Sequence, residues 1–347
     1  MSARWTRRPD GSNWGEFGAD DQLGRLNLIT PEKVRAGVAE VREGRTFCLS
    51  LPLDFPGGNV LNPRRHPPRL AATLRAGRAN YLYPFALENP DHIDVVCDDT
   101  VLLTLQYSTQ FDSLCHVGQA FDADGDGEAE PVFYNGWRGG EHVLGPPEDA
   151  AAGGPALAGV HARRLGIENM AAHGVQGRGV MIDLERHVGR AREWIGYDRL
   201  MAICDADGVV VEAGDMVCLY TGFADLILDM NRDPDGARLQ QSCAVLDGRD
   251  QRLLQWITDS GLAVLIADNY AVEGSPSRPP DRPGRHAALP LHQHCLFKLG
   301  IHLGELFHLG ELARWLRVHQ RNRFLLTAPP LRLPGAVGSP STAIATV

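Results

Sequence analysis

The sequence predicts an α/β fold, and three neighbouring stretches carry that prediction. Gly214-Asp215-Met216-Val217-Cys218-Leu219-Tyr220-Thr221-Gly222 reads as turn, strand, turn, with the unbroken apolar run of a strand buried on both faces. Residues 249–259 then place Leu253, Leu254, Trp256 and Ile257 at helical spacing, an apolar face that belongs to a core. A strand over 262–267 follows and delivers Asp268 and Asn269 at its end. Strand–helix–strand alternation builds an α/β sheet, and polar residues at strand ends tend to line a site. Asp268 is therefore a candidate substrate-binding residue.

Composition narrows the function classes. The 347 residues are 44% hydrophobic and 22% charged, enough for one large domain or two ordinary ones with a buried core. No apolar run approaches the ~18 residues of a membrane helix. A net charge of −9 without a basic run argues against a nucleic-acid partner. Met1-Ser2-Ala3-Arg4-Trp5 lacks an apolar signal segment. Seven cysteines, an odd number with no Cys-x-x-Cys, predict reduced thiols and a cytoplasmic setting. Cys97, Cys218 and Cys295 sit among apolar residues and read as core filler.

Residues 9–30 form a Gly- and Asp-rich lead that Trp14, Phe17 and Leu28 anchor as a folded loop. Thr30-Pro31-Glu32-Lys33 opens a helix, with Thr30 as N-cap, that runs to about Glu43 before Gly44. A strand over Thr46–Leu53 leads into a Pro/Gly-rich loop, 54–68, which carries Arg64, Arg65 and His66. A loop of that length is a lid, a pocket wall or surface decoration. Phe121 to Glu130 matches the first half of a calcium loop, but Phe133 occupies the twelfth position and no helix pair flanks it. An Asp/Gly turn is the expectation there. The segment 141–178 is Ala/Gly/Pro-rich with a short helix, Ile167–His173; Gly179–Asp183 is a strand, and a helix starts near Tyr197.

The chemistry concentrates in Leu105-Gln-Tyr-Ser-Thr-Gln-Phe-Asp-Ser-Leu-Cys-His116, after the apolar run Val101–Leu105. As one strand it would put Gln106, Ser108, Gln110 and Asp112 on one side. If the chain then turns into a helix, Asp112 and His116, four apart, look the same way. The spacing also permits a plainer arrangement, with the glutamines on the solvated face of an edge strand and His116 capping a turn.

This stretch resembles the metal-binding signature of the cyclase family, which includes kynurenine formamidases, isatin hydrolases and trans-dienelactone hydrolases: His-x-Gly-Thr-His-x-Asp-x-Pro-x-His. Thr109, Asp112 and His116 match; Gln106 and Gln110 stand in place of the first two histidines, Ser108 in place of Gly and Leu114 in place of Pro. Asn13-Trp14-Gly15, Tyr134-Asn135-Gly136 and the ending Gly335-Ala336-Val337-Gly338-Ser339-Pro340 are further likenesses. So is His292-Gln293-His294 before Glu305, where the family has a His about a dozen residues ahead of a Glu; His292 and His294 lie 13 and 11 residues before it, and either fits. His302 and His308 read as surface or packing residues. The resemblance spans the chain and implies a single domain over 1–347 with elaborations at 54–68, 121–131 and 141–178. It implies a swivelling β/β/α-type fold whose mixed, barrel-like sheet is flanked by helices.

What the resemblance implies for function is a metal-dependent hydrolase that opens a lactone or cyclic amide of a small carboxylate-type metabolite. A single Zn²⁺ or Mn²⁺ would be held among Gln110, Asp112, His292 or His294, and Glu305; amide ligands favour a harder ion than an imidazole-rich site does. His116, Glu305 and Asp112 are the candidate catalytic groups, and Gln106, Tyr134, Asn135 and Asp268 the candidate substrate contacts. Two alternatives remain: a metal-free cyclase or lyase using Asp112, His116 and Glu305 as acid–base groups, and a catalytically idle binding protein. The expected partners are a small-molecule substrate and further copies of the chain, as a homodimer or homotetramer, with apolar area on loop 54–68 available for assembly.

Overall fold

The computed structural model describes residues 4–146 and 159–347, so part of the 141–178 elaboration lies outside the described residues. Nine strands form one mixed sheet: β1 (Thr46–Cys48), β2 (Gln110–Asp112), β3 (Gln176–Asp183), β4 (Met216–Tyr220), β5 (Val264–Ala267), β6 (His302–Glu305), β7 (Arg323–Thr327), β8 (Gly338–Pro340) and β9 (Ile344–Thr346). Their spatial order is β1-β9-β7-β3-β4-β5-β6-β2-β8. The central strands β3 to β6 are parallel, and both flanks are antiparallel. The sheet curls as a half-barrel flanked by helices, the fold implied by the resemblance.

Strict side-chain alternation explains why the apolar strands need helices on both faces. Val217 and Leu219 of β4 and Leu265 of β5 point into one core, while Met216, Cys218, Tyr220, Val264 and Ile266 point into the other. Helices α3 (Tyr197–Asp207) and α5 (Gln251–Ser260) cover the first face through Leu200, Ile203, Leu253 and Ile257. Helices α2 (Ile167–His173) and α6 (Gly310–Val318) cover the second through Met170, Leu312 and Leu316. Helix α4 (Phe223–Asp229) begins directly beyond β4. No helix among the described residues is long and apolar enough to cross a membrane.

Several boundaries differ from the sequence reading, each for a visible reason. Helix α1 (Pro31–Val38) starts on the Thr30 cap but stops five residues short of Glu43. The chain leaves the helix so that the amides of Glu43 and Gly44 can donate to the Val347 carbonyl. Gly37 lies so close to β3 that a Cβ would meet the Gly177 carbonyl carbon at 2.6 Å. The predicted strand 101–105 does not run on into the central stretch. Only its first two residues, Val101 and Leu102, lie in a strand, Asp99–Leu102, which pairs instead with Arg69–Ala72 in an arm of three two-stranded ladders over 69–102. Cys97, expected in the core, is exposed on that arm, whereas Cys218 and Cys295 are buried. The Asp-rich segment after Phe121 is flanked by two strands, Gln119–Phe121 and Glu130–Val132. Its acids are spent on the turn itself: Asp122 accepts from the Gly125 amide at 2.7 Å and Asp126 from the Glu128 amide at 2.8 Å.

Candidate active site

β2 is three residues long, and both its neighbours are antiparallel. Gln110 and Asp112 share one face, while Phe111 between them packs on Phe307 in the opposite core. Register then decides what they meet: Gln110 lies opposite Glu305 of β6, and Asp112 opposite Leu303 and Gly338. Gln110 Nε2 donates to Glu305 Oε2 at 3.0 Å. Gly304 cannot carry a side chain here, because a Cβ would meet Phe307, Ile266 and Phe111 within 2.9 Å.

The third member comes from a helical turn, Pro290–His292, that continues as a π-helix over Gln293–Leu299, a distortion frequent at functional sites. His292 Nε2 lies 3.3 Å from Glu305 Oε1 and 4.0 Å from Asp112 Oδ2. The N-terminal lead fastens this segment: Trp14 Nε1 donates to the Phe297 carbonyl at 2.8 Å, and Asn13 Nδ2 to that of Leu299 at 3.0 Å. His294, two residues on, faces away from the cluster. Its Nε2 is 3.0 Å from Thr258 Oγ1, and burial, with Lys298 nearby, pushes its pKa down to about 4.

Glu273, which the sequence reading missed, sits behind His292. Its carboxylate accepts from His292 Nδ1 at 2.7 Å, from the His292 amide at 3.0 Å and from the Leu291 amide at 3.1 Å, all buried. The ring is thereby turned so that Nε2 faces Asp112 and Glu305. Ala271 and Val272, just before Glu273, have φ of 74° and 58°, conformations unfavourable for a β-branched residue and common where a site imposes them. Burial opposes charge on His292, but its bonds to Glu273 and Glu305 outweigh that and push its pKa up to about 10. Burial raises the Asp112 carboxyl, with the Glu305 charge adding to it and His116 opposing. For Glu305, burial is outweighed by His292, and the carboxyl lies below its usual range.

Gln106 is not on the strand; Thr104–Thr109 is a turn, closed by Tyr107 N to the Thr104 carbonyl at 3.0 Å. Thr109 pins the turn to the sheet, accepting from Leu51 N at 2.8 Å and donating to the Leu306 carbonyl at 2.6 Å. Nor does a helix follow Asp112: a turn, His116 N to the Ser113 carbonyl, brings His116 Nε2 within 3.7 Å of Asp112 Oδ1. Gln106 Nε2 lies 3.5 Å from His116 Nδ1. Loop 54–68 walls this side, with Arg65 Nη1 donating to the Gln106 carbonyl at 2.7 Å and Tyr107 donating to the Gly58 carbonyl at 2.9 Å.

Three expected substrate contacts have other occupations. Asp268 accepts from Thr221 N, Thr221 Oγ1, Gly222 N and Phe223 N at 2.7–3.0 Å, which fixes the start of α4; burial still pushes its carboxyl up to about 7. Asn135 ties down the N-terminal lead through the carbonyls of Gly18, Ala19 and Asp21. Tyr134 is buried against Gly300 at the end of the π-helix.

One ligand atom each from Asp112, His292 and Glu305 lies within 4.8 Å of the others. Both Asp112 carboxylate oxygens and Gln110 Oε1 lack a hydrogen-bond partner among the described residues, although Asp112 and Gln110 are fully buried. A carboxylate in that state is costly unless a cation balances it. Two carboxylates, an imidazole and an amide oxygen are donors that a divalent cation accepts. The residues present fit such an ion.

The Cyclase family model matches residues 49–274, from the end of β1 through Glu273. A crystal structure described as a novel cyclase is 29% identical, covers 97% of each chain and superposes with a TM-score of 0.71. Isatin hydrolase A from Ralstonia solanacearum (14% identity, 91% of this chain and 97% of that one, TM-score 0.54) and isatin hydrolase A from Labrenzia aggregata (13%, 90% and 97%, 0.52) share the fold. No curated protein matches the chain. With its Asp112-bearing strand and the β3, β4 and β5 strands of the sheet's parallel centre inside the matched region, the chain belongs to the cyclase family.

Proposed function

We propose that this protein is a metal-dependent hydrolase that opens a lactone or cyclic amide of a small carboxylate-type metabolite. The observation that carries the reading is the buried Asp112 carboxylate, unpartnered among the described residues and facing His292 and Glu305. Asp112, His292, Glu305 and the Gln110 amide oxygen would hold one Zn²⁺ or Mn²⁺. Such an ion, when bound, polarises a carbonyl and acidifies water. The fold shared with isatin hydrolases supports hydrolysis as the reaction type.

The chain's own groups do the rest. Glu273 fixes the tautomer and direction of His292 by accepting a hydrogen bond from its Nδ1–H. Gln110 steadies the Glu305 carboxylate from the neighbouring strand. His116 is only partly buried, with 22% of its side chain exposed, and lies 3.7 Å from Asp112 at the open side of the cluster. It is placed to carry a proton to the leaving oxygen or nitrogen at Nε2, with Gln106 beside Nδ1. Arg65, on the wall, brings positive charge toward Asp112 and Glu305, and supplies a contact for a substrate carboxylate.

The pairing of His116 with a carboxyl raised by burial also supports a metal-free cyclase or lyase, with Asp112, His116 and Glu305 moving protons. One experiment separates the readings. The purified protein is assayed against lactones and cyclic amides, including isatin, before and after dialysis against a chelator. Hydrolysis that disappears on chelation and returns with Mn²⁺ or Zn²⁺ supports the proposal. A full rate in metal-free protein contradicts it and favours the second reading.

A further inference from the structure

A cavity of about 220 Å³ lies where loop 54–68 meets the short helix Gly236–Gln240 and the chain beyond β5. Phe223, Leu239 and Tyr270 give it apolar walls; Arg64 and Arg192 line it too, and no Asp or Glu does. Arg192 is half-buried without an ion pair among the described residues. Its Nε and Nη2 donate to the Gln240 carbonyl at 3.0 and 2.6 Å, which leaves Nη1 unpartnered among those residues. Burial lowers its pKa, and only the Cys243 thiol opposes that. Arg178 and Arg317, by contrast, lie on Asp215 and Asp183 at 2.9 and 2.7 Å. A cation drawn out of water is costly unless an anion balances it. The exposed Arg64 makes no side-chain hydrogen bond among the described residues. Tyr270 Oη accepts from Asn62 Nδ2 at 3.1 Å, so its own proton remains to be donated. Asn269, on the same lining and 2% exposed, has the opposite need. Its Nδ2 donates to the Ala244 carbonyl at 3.0 Å, while Oδ1 has no partner among the described residues.

We propose that this cavity is a second ligand site, for a small organic acid that also carries an N–H or O–H donor. Arg64, Arg192 Nη1 and the Tyr270 hydroxyl take the carboxylate, the guanidinium being suited to its two oxygens. Asn269 Oδ1 takes the donor, and the aromatic walls take the body between them. Ring opening makes just this kind of molecule. Water adds to the carbonyl carbon, the bond from that carbon to the ring oxygen or nitrogen breaks, and the carbonyl ends as a carboxylate. One proton of the water goes to the leaving atom, which becomes a hydroxyl or an amine, and the other to solvent. A closed lactone or cyclic amide offers these arginines no such new charge, so the pair separates product from substrate. That source of the ligand rests on the hydrolase reading; the chemistry of the cavity does not. Position agrees with it. A narrow crevice lined by Arg65 and Tyr107 shares Leu61, Asn62 and Tyr270 with the cavity, and Arg65 walls the candidate active site. The opened acid is thus held beside the place where it forms.

Calorimetric titration of the full chain with 2-aminophenylacetate, the opened form of the cyclic amide oxindole, tests the proposal. It is done on chelator-treated protein, so the outcome depends neither on metal nor on turnover. Oxindole is expected to bind about tenfold more weakly, and phenylacetate, which lacks the amine, about fivefold more weakly. Arg64→Gln and Arg192→Gln should each cost about tenfold in affinity for the amino acid. Arg64 is exposed, so its variant stays folded even if Arg192→Gln does not. Arg65→Gln should leave the affinity unchanged. Oxindole bound as tightly as the acid overturns the proposal, as does an affinity indifferent to Arg64→Gln. Phenylacetate bound as tightly as the amino acid overturns the part given to Asn269. Affinity lost in Arg65→Gln places the ligand in the candidate active site instead, and inorganic phosphate that binds as well as the amino acid makes the cavity a site for inorganic anions; either result refutes the assignment. Hydrolysis that failed its own chelation test would leave this binding result standing, so the two readings fail separately.

Discussion

Glu273→Gln keeps the size and shape of the side chain and changes one oxygen to an NH₂ group. Three donors converge on the wild-type carboxylate: the amides of Leu291 and His292, and His292 Nδ1. A carboxamide accepts at one atom only, so its NH₂ faces a donor and leaves a buried N–H unpaired. That costs about 1–3 kcal/mol. An unfolding entropy of about 2.1 cal/mol/K per residue gives roughly 0.7 kcal/mol/K for this chain, so Tm should fall by about 1–4 °C. The larger effect is on the ring. Without a carboxylate at Nδ1, His292 loses its fixed direction, and divalent-ion affinity should fall about 10–100-fold. The pH dependence changes as well. His292 is raised by its partners to about 10, so in metal-free protein its charge contributes stability that is complete below the unfolded value near 6.5 and lost as pH rises through about 10. The variant should lose less stability over that alkaline window. Calorimetric unfolding and isothermal titration with MnCl₂ on one preparation measure all three. Unchanged Tm, unchanged affinity and an unchanged alkaline limb would refute the orienting role of Glu273.

Two further predictions rest on other groups. His302 is fully buried on β6, Nδ1 without a partner among the described residues, and burial lowers its pKa to about 3; its neutral form therefore contributes stability above the unfolded value near 6.5 that is lost as pH falls toward 3. At about pH 5 that loss is roughly 2 kcal/mol, so His302→Leu should show a smaller drop in Tm between neutral and acid buffer, and an identical drop would count against it. Gln110→His replaces an amide oxygen with imidazole, a better zinc donor; zinc affinity measured by competition with a chelating dye should rise, and an unchanged value would remove Gln110 from the ligand set.

The strong features of the fold were legible because they are written in composition and parity. The unbroken apolar run of β4 announced a strand buried on both faces, and the stripe of α5 announced its cover. Helix α2 begins and ends where the sequence placed it. Asp112 and Glu305 were legible only by resemblance, since their meeting depends on a register between strands 190 residues apart in sequence. His292 and His294 could not be separated because two helical residues point in nearly opposite directions, and nothing local says which side faces the sheet. Gln106 was misplaced because Val101–Leu105 reads as the start of a longer strand, whereas the chain breaks into a turn that Thr109 pins. Glu273 left one trace, a carboxylate in the otherwise apolar Ala271–Gly274. The arm left almost none: ladders of two to four residues fall below any periodicity signal.

The central claim is that the Asp112–His292–Glu305 cluster holds a divalent cation. Metal content of the purified protein, after incubation with Mn²⁺ or Zn²⁺ and removal of free ion, tests it most directly when wild type and Asp112→Ala are measured together. The account predicts one ion per chain in the wild type. It predicts none in Asp112→Ala, whose melting transition should persist, because the lost carboxylate has no hydrogen-bond partner to forfeit among the described residues. A wild type that retains no ion, or an Asp112→Ala variant that retains a full equivalent, would contradict it.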